Sequence, residues 1–588
     1  MRGFGLFIVL VAAKLAAMWS HGLPAWSPWS AVAFTWQEAL IGLGVAGLDG
    51  LARSRWRVPV RMTNVVTVVY WIIAAWAAIN IPVGRALGTP LTLPMLQATR
   101  GALADSLRLH VTPANVLLMT GGIASAAWLP RALSRLPQKP QGLIVGAGIA
   151  LSAIGPWSVS HADANGLDRS DVMAFAESLR PHVTAAIGRR DWRRSPFPSV
   201  PSAAANDLAA LHGAAHGRNI VIVSLESTAA QYLPMYGGGD DVTPTLAALS
   251  RNGVVFEHTY AAYPESIKGL FSILCSTFPA FDVNVRVLSR APCDAVPTVL
   301  QHHGYRTALF HSGRFDYLGM SDVIRDRGFD TLEDAGDIGG HHQSSFGVDE
   351  PATLARMLQW VDHVPHGQPF LLTYLPIAGH HPYETSSPGI FGNRDDFSRY
   401  RNAIHEGDAA LEALVDGFHA RGLDNRTLWI VFGDHGEAFG QHPGNYGHTF
   451  FVYEENVHVP FMIAAPGLLD APRRVLQTVS LVDVAPTILD LLGIVPPATY
   501  QGHSPLDDGP RMALFFTDYS LPLAGLVDGR WKAIEDVSTG RVQLFDLARD
   551  TVEAHDVSTQ HADRARAYAA TLQGWAAAQK DDILTGRR

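Results

Sequence analysis

The sequence predicts two unlike parts: an N-terminal membrane domain of five helices, then an α/β domain in which helices cover both faces of a mostly parallel sheet. Three observations carry this reading. The first 160 residues hold five apolar stretches, roughly 3–20, 31–51, 64–84, 113–130 and 141–159. Each is near the ~20 residues that cross a bilayer core. From Arg218 onward, short apolar runs at 220–225, 307–311, 369–375, 428–432 and 460–464 alternate with helical stretches at 244–251, 295–303, 351–362 and 398–421. That alternation builds a parallel sheet. Finally, 588 residues exceed one core, and 47% apolar with 17% charged residues fits a membrane part joined to a water-exposed part. The expected boundaries are 1–160 for the membrane domain, 161–217 for a juxtamembrane linker and 218–588 for the α/β domain.

In the membrane part the first stretch carries Lys14 and also has the look of a signal peptide, although four further spans follow it. Arginines set the orientation. Arg53, Arg55, Arg57 and Arg61 follow the second span, and Arg131, Arg135 and Lys139 follow the fourth. Placing both loops in the cytoplasm delivers the chain after Trp157 to the outer face of the membrane. The connection from Arg85 to Pro113 reads either as a helix lying on the membrane surface or as a plain connector. In the linker, Ser170–Leu179 has helical spacing. The run Arg189-Arg190-Asp191-Trp192-Arg193-Arg194 suits an anionic headgroup surface with Trp192 as anchor, or else a solvated linker.

The net charge of −9 argues against nucleic acid as a partner. The two cysteines, Cys275 and Cys293, are too few for a disulfide scaffold; they pair in an oxidising compartment or stay as buried thiols. In a parallel sheet the site lies beyond the carboxyl ends of the strands. Glu226, His311, His380 and Asp434 all fall at such ends. Asp434-His435 with Glu226 and one hydroxyl makes an N/O set for a divalent ion, zinc or manganese. A hydroxyl beside such an ion becomes a nucleophile near neutral pH. Ser266 is the candidate for that hydroxyl, both as fourth ligand and as nucleophile, with Ser272 as fallback. His380, His448 and His311 are candidates for binding an oxyanion or moving a proton, His442 a weaker one, and Lys268 for holding negative charge. His302-His303 and His341-His342 read as structural or exposed.

These residues resemble the alkaline phosphatase and sulfatase superfamily, and most of all its membrane-bound branch of lipoteichoic acid synthase-like phosphoglycerol transferases and phosphoethanolamine transferases. Asn219–Thr228 is similar to the first metal strand, with Glu226 as ligand. Thr243-Pro244-Thr245-Leu246 is similar to the helix that follows, and Gly433-Asp434-His435-Gly436-Glu437 to the second metal motif. Further matches are Val459-Pro460-Phe461, Ser480–Ile488 and Leu544-Phe545-Asp546-Leu547. The resemblance implies a three-layer α/β sandwich, a divalent metal and a covalent intermediate on a serine or threonine. It also implies a phospholipid donor and a glycan or glycolipid acceptor. Sulfatases carry proline at plus two and arginine at plus four from the nucleophile; Ser266-Ile267-Lys268 lacks this, which disfavours a sulfatase. The transferases use threonine where Ser266 stands. The tryptophan and arginine that lipoteichoic acid synthases keep after the His311 position are absent, leaving Arg314 as an alternative phosphate contact.

Overall fold

The computed structural model describes residues 1–19, 27–53, 60–98, 110–186 (save 136, 160, 163–165 and 167), 192, 194–198, 208–340 and 346–586 (save 508 and 510). The chain divides into two compact units, Met1–Pro181 and His182–Arg588, with Gly440–Tyr446 counted to the first.

The first unit is helical. Among the described residues, four stretches are long and apolar enough to cross a membrane: Pro28–Ala52, Thr63–Leu87, Pro113–Leu133 and Gln141–Val159. The fifth expected span is a helix as well, Arg2–Met18, but it has only 17 residues. Its Lys14 is buried and ion-paired to Glu38 at 2.6 Å, and it donates to the Phe34 and Asp168 carbonyls at 3.0 Å each. Those partners offset the desolvation that an ammonium otherwise suffers in an apolar bundle. Arg2 at the other end of the same helix meets Asp49 at 3.4 Å and Thr67 at 3.1 Å. Of the 85–113 connection, Leu93–Ala98 is a short helix, while Leu103–Leu107 lies outside the described residues. The helix read in Ser170–Leu179 runs Asp171–Glu177, capped by Ser170 accepting from the Met173 amide at 3.1 Å.

The second unit is built on an eight-stranded sheet. Its strands are β1 Asn219–Leu225, β2 Gly253–Tyr260, β3 Arg306–His311, β4 Thr331–Glu333, β5 Phe370–Leu375, β6 Thr427–Gly433, β7 His458–Ala464 and β8 Arg473–Ser480. The order across the sheet is β8-β2-β7-β6-β1-β5-β3-β4. All neighbours are parallel except β7, which runs against both β2 and β6. Side chains alternate across β1. Ile220 and Ile222 join the core layer that holds helix Ser266–Cys275. Val221 and Val223 join the opposite layer, with helices Glu350–His363 and Asp396–His419. A three-layer α/β sandwich is the result.

The chain closes with a four-stranded antiparallel sheet, β9 Met512–Thr517, β10 Leu523–Asp528, β11 Trp531–Asp536 and β12 Arg541–Asp546, and the helix Ala562–Thr585. Cys275 and Cys293 form a disulfide across a separation of 18 residues. Trp192, read either as a membrane anchor or as part of a solvated linker, is instead buried in this unit, 6.1 Å from the Phe278 ring. An indole that gains an aromatic core has no need of an interface. Arg189–Asp191 and Arg193 of that motif lie outside the described residues.

Candidate active site

Register places the ligand candidates together. Leu225 of β1 pairs with Gly433 of β6, so the next residues, Glu226 and Asp434, leave the sheet side by side. The Ser227 amide, in a left-handed turn at φ 53°, donates to Asp434 Oδ1 at 3.0 Å. The His435 amide donates to the same oxygen at 2.7 Å. His435 Nδ1 faces the Gly436 carbonyl at 3.0 Å, so that nitrogen carries the proton and Nε2 is left as a lone-pair donor. Nε2 lies 3.5 Å from Glu226 and 3.4 Å from Asp434.

Ser266 reaches this cluster from the start of the helix Ser266–Cys275. Its hydroxyl donates to Glu226 Oε2 at 3.0 Å and sits 3.2 Å from His435 Nε2. Glu265 caps that helix by accepting from the Ile267 and Lys268 amides at 3.0 and 3.1 Å. The hydroxyl therefore stands at the positive end of a helix, where developing negative charge is favoured.

Electrostatics argue that the cluster is made for a cation. Glu226, Asp434 and His435 place ligand atoms within 4.8 Å of one another. Burial pushes the Asp434 carboxyl up to about 7. Burial, then the Asp434 charge, raises Glu226. Burial pushes His435 down to about 4, so it offers a neutral imidazole. Two crowded buried carboxylates, a neutral imidazole and a hydroxyl fit a divalent ion of the zinc or manganese type.

A cleft over Ser266 is lined by Glu226, His311, Arg314, His380 and His448 among others. His311 closes β3, and its Nδ1 donates to the Leu375 carbonyl at 2.9 Å; burial lowers it to about 4. His448 Nδ1 donates to Glu437 Oε2 at 2.7 Å, its ring lies 4.1 Å from that of His435, and burial lowers it too to about 4. His380 Nδ1 faces the His381 carbonyl at 2.5 Å. Each histidine thus has one nitrogen tied to a fixed acceptor. The Arg314 guanidinium makes no hydrogen bond or ion pair among the described residues.

Lys268 departs from expectation. Its ammonium pairs with Asp518 at 2.9 Å and touches the Tyr263 hydroxyl at 3.3 Å, buried and away from the cleft lining. Two helical positions after Ser266 it points about 200° around the axis, so its charge is spent on packing. The fallback Ser272 is fully buried and donates to the Lys268 carbonyl at 3.1 Å, remote from the cluster. His302 and His303 end an ordinary helix, and His341 and His342 lie outside the described residues. Sequence reading left two groups without a role. Glu437 was visible in its motif but not as the partner of His448 and of the Tyr383 hydroxyl, which donates to it at 2.5 Å. Glu350 looked like an ordinary helix start.

A family model described as sulfatase matches residues 218–494, and one described as the C-terminal part of N-sulphoglucosamine sulphohydrolase matches 444–573. Residues 218–494 form a sulfatase-family domain. Curated relatives of this chain include the lipoteichoic acid synthase-like YvgJ of Bacillus subtilis, 24% identical over 60% of this chain and 58% of that protein. Lipoteichoic acid synthase 2 of the same species is 24% identical over 48% of this chain and 46% of that protein. The match therefore spans about half the length of these relatives. Among solved structures, an alkaline phosphatase superfamily protein of Vibrio parahaemolyticus aligns with a TM-score of 0.53 and 20% identity, over 63% of this chain and 90% of that one. The lipoteichoic acid synthase LtaP of Listeria monocytogenes aligns with a TM-score of 0.50 and 18% identity, over 63% of this chain and 94% of that one. Both likenesses concern the fold.

Proposed function

We propose that the protein is a membrane-anchored transferase that moves a phospholipid headgroup phosphate, of the phosphoglycerol type, through a covalent intermediate on Ser266 to a hydroxyl of a glycan or glycolipid. The observation that carries this reading is the hydroxyl of Ser266, a serine without the following proline and arginine of sulfatases, set within 3.0 to 3.2 Å of Glu226 and His435 at a helix start. The lipoteichoic acid synthase relatives favour a glycerol headgroup over ethanolamine. A divalent ion held by Glu226, Asp434, His435 and the Ser266 oxygen would lower the hydroxyl's pKa and polarise the phosphate.

The chain's own groups supply the rest. Ser266 Oγ bonds to phosphorus as the bond to the diacylglycerol oxygen breaks in line. Arg314 neutralises a phosphoryl oxygen. His311, neutral and with Nδ1 tied to Leu375, presents Nε2 as an acceptor, which suits a headgroup O–H donor. His380 borders the same headgroup space. His448, neutral and steadied by Glu437, relays protons through its free nitrogen: in the first displacement it takes the Ser266 hydroxyl proton and passes it to the leaving diacylglycerol oxygen, and in the second it takes the acceptor hydroxyl's proton and returns it to the Ser266 oxygen. The second displacement restores free Ser266.

The arginine-rich loops after residues 52 and 130 put the catalytic unit outside whether or not the helix Arg2–Met18 crosses the bilayer, because those loops alone fix the later spans. Membrane spans in the same chain as the site would keep a lipid donor at high effective concentration.

Purified full-length protein incubated with phosphatidylglycerol and phosphatidylethanolamine tests this. Diacylglycerol release that rises with added glycolipid, yielding a phosphoglycerol-glycolipid product, supports the transferase. Release indifferent to glycolipid, with free headgroup phosphate as product, makes it a hydrolase.

A further inference from the structure

We infer that Glu350 is a positioning residue that sets the spacing of the two cleft histidines, His311 and His380; the inference rests on the reading of that cleft as the substrate site. Glu350 opens the helix Glu350–His363 and is 3% exposed. Neither carboxylate oxygen is spare. Oε1 accepts from Ser312 Oγ at 2.9 Å, from the Ile377 amide at 3.0 Å and from the Ala378 amide at 3.2 Å. Oε2 accepts from the Tyr374 hydroxyl.

The three donors to Oε1 belong to the segments that follow β3 and β5 and adjoin the histidines. Ser312 directly follows His311. Ile377 and Ala378 lie just before His380, whose amide donates to the Ile377 carbonyl at 2.9 Å. The Ile377 amide also donates to Ser312 Oγ at 2.7 Å. One carboxylate, seated behind the β3 and β5 ends, therefore joins the segment after His311 to the segment before His380. Shared hydrogen bonds of this kind transmit the position of one loop to the other. Catalytic groups misplaced by about 1 Å lose on the order of 100-fold in rate.

Chemistry distinguishes the substitutions. In Glu350→Gln the amide oxygen keeps the three-donor position, and the amide nitrogen meets Tyr374, whose hydroxyl is able to accept as well as donate. In Glu350→Ala the Ser312 hydroxyl and the half-buried Ile377 and Ala378 amides lose their common acceptor. Full-length protein, metal-loaded and in detergent, is assayed with bis(p-nitrophenyl) phosphate, which reads the cleft without a lipid. It is assayed in parallel with phosphatidylglycerol. The expected result is that Glu350→Ala lowers kcat/KM on the order of 10- to 100-fold, that Glu350→Gln recovers most of it, and that metal content is unchanged. In a His311→Ala/His380→Ala background, adding Glu350→Ala then costs little, because the groups it positions are gone. Additive losses in that cycle, or parallel loss of metal, or wild-type kinetics in Glu350→Ala, would overturn the inference. Should Glu350→Ala fail to accumulate, Ser312→Ala removes one joint of the same link and is put through the same cycle. If the wild type turns over the aryl diester but not the lipid, the transferase reading fails while this one is still decided.

Discussion

At the scale of single residues, the site works because burial and hydrogen bonding fix which atom of each side chain faces the cleft. His311 illustrates it. Its Nδ1–H is committed to the Leu375 carbonyl, and burial holds its folded pKa at about 4, below the 6.5 of an exposed histidine. Between those values the unfolded chain binds a proton that the folded protein excludes, so this residue's contribution to stability is full above about pH 6.5 and is lost as pH falls towards 4. Denaturant melts of the metal-loaded protein at pH 7 and pH 5 are expected to show a smaller acid loss in His311→Gln than in wild type. Equal losses would remove His311 as a source. The same scale explains what was legible beforehand. That Glu226, Asp434 and His435 come together was readable because polar residues at the ends of apolar runs have few structural uses. Lys268 was misread because a sequence interval of two looks close, whereas on a helix it turns the side chain away from Ser266 and onto Asp518. Glu350 was illegible because Asp349-Glu350-Pro351 is what any exposed helix start looks like; only tertiary packing turns its carboxylate inward.

At the scale of elements, the helix Ser266–Cys275 carries the proposed nucleophile, Ser266, at one end and a disulfide at the other. Ile267, Leu270, Phe271, Ile273 and Leu274 bury it in the core, and Cys275 ties its far end to Cys293. Linking residues 18 apart removes conformational freedom from the unfolded chain, a stabilisation of roughly 3 kcal/mol. Thermal melts of a Cys275→Ala/Cys293→Ala variant are expected to shift down by several degrees with Ser266 chemistry retained; an unchanged melting temperature would deny the link any such part. The alternation of strands and helices was readable in the sequence because apolar periodicity reports the sheet directly. Strand order and the reversed direction of β7 were not, since pairing depends on contacts far apart in the chain. The helix Arg2–Met18 shows the converse limit. Its apolar run announced it, but the Lys14–Glu38 pair that lets it stay buried joins two helices and is invisible to a window of sequence.

At the scale of the whole molecule, a helical unit with four stretches, among the described residues, long and apolar enough to cross a membrane precedes a domain that matches a sulfatase family model and gathers the Glu226-Asp434-His435 cluster, Ser266 and a histidine-lined cleft. The central claim is that Ser266 carries the headgroup between donor and acceptor. The most direct test is a mass spectrum of the Ser266 peptide after full-length protein has met phosphatidylglycerol without acceptor, beside a Ser266→Ala control. The account predicts a phosphoglycerol adduct on Ser266 that is absent from the control and is discharged by added glycolipid. An unmodified serine throughout turnover, or a formylglycine in its place, would contradict it.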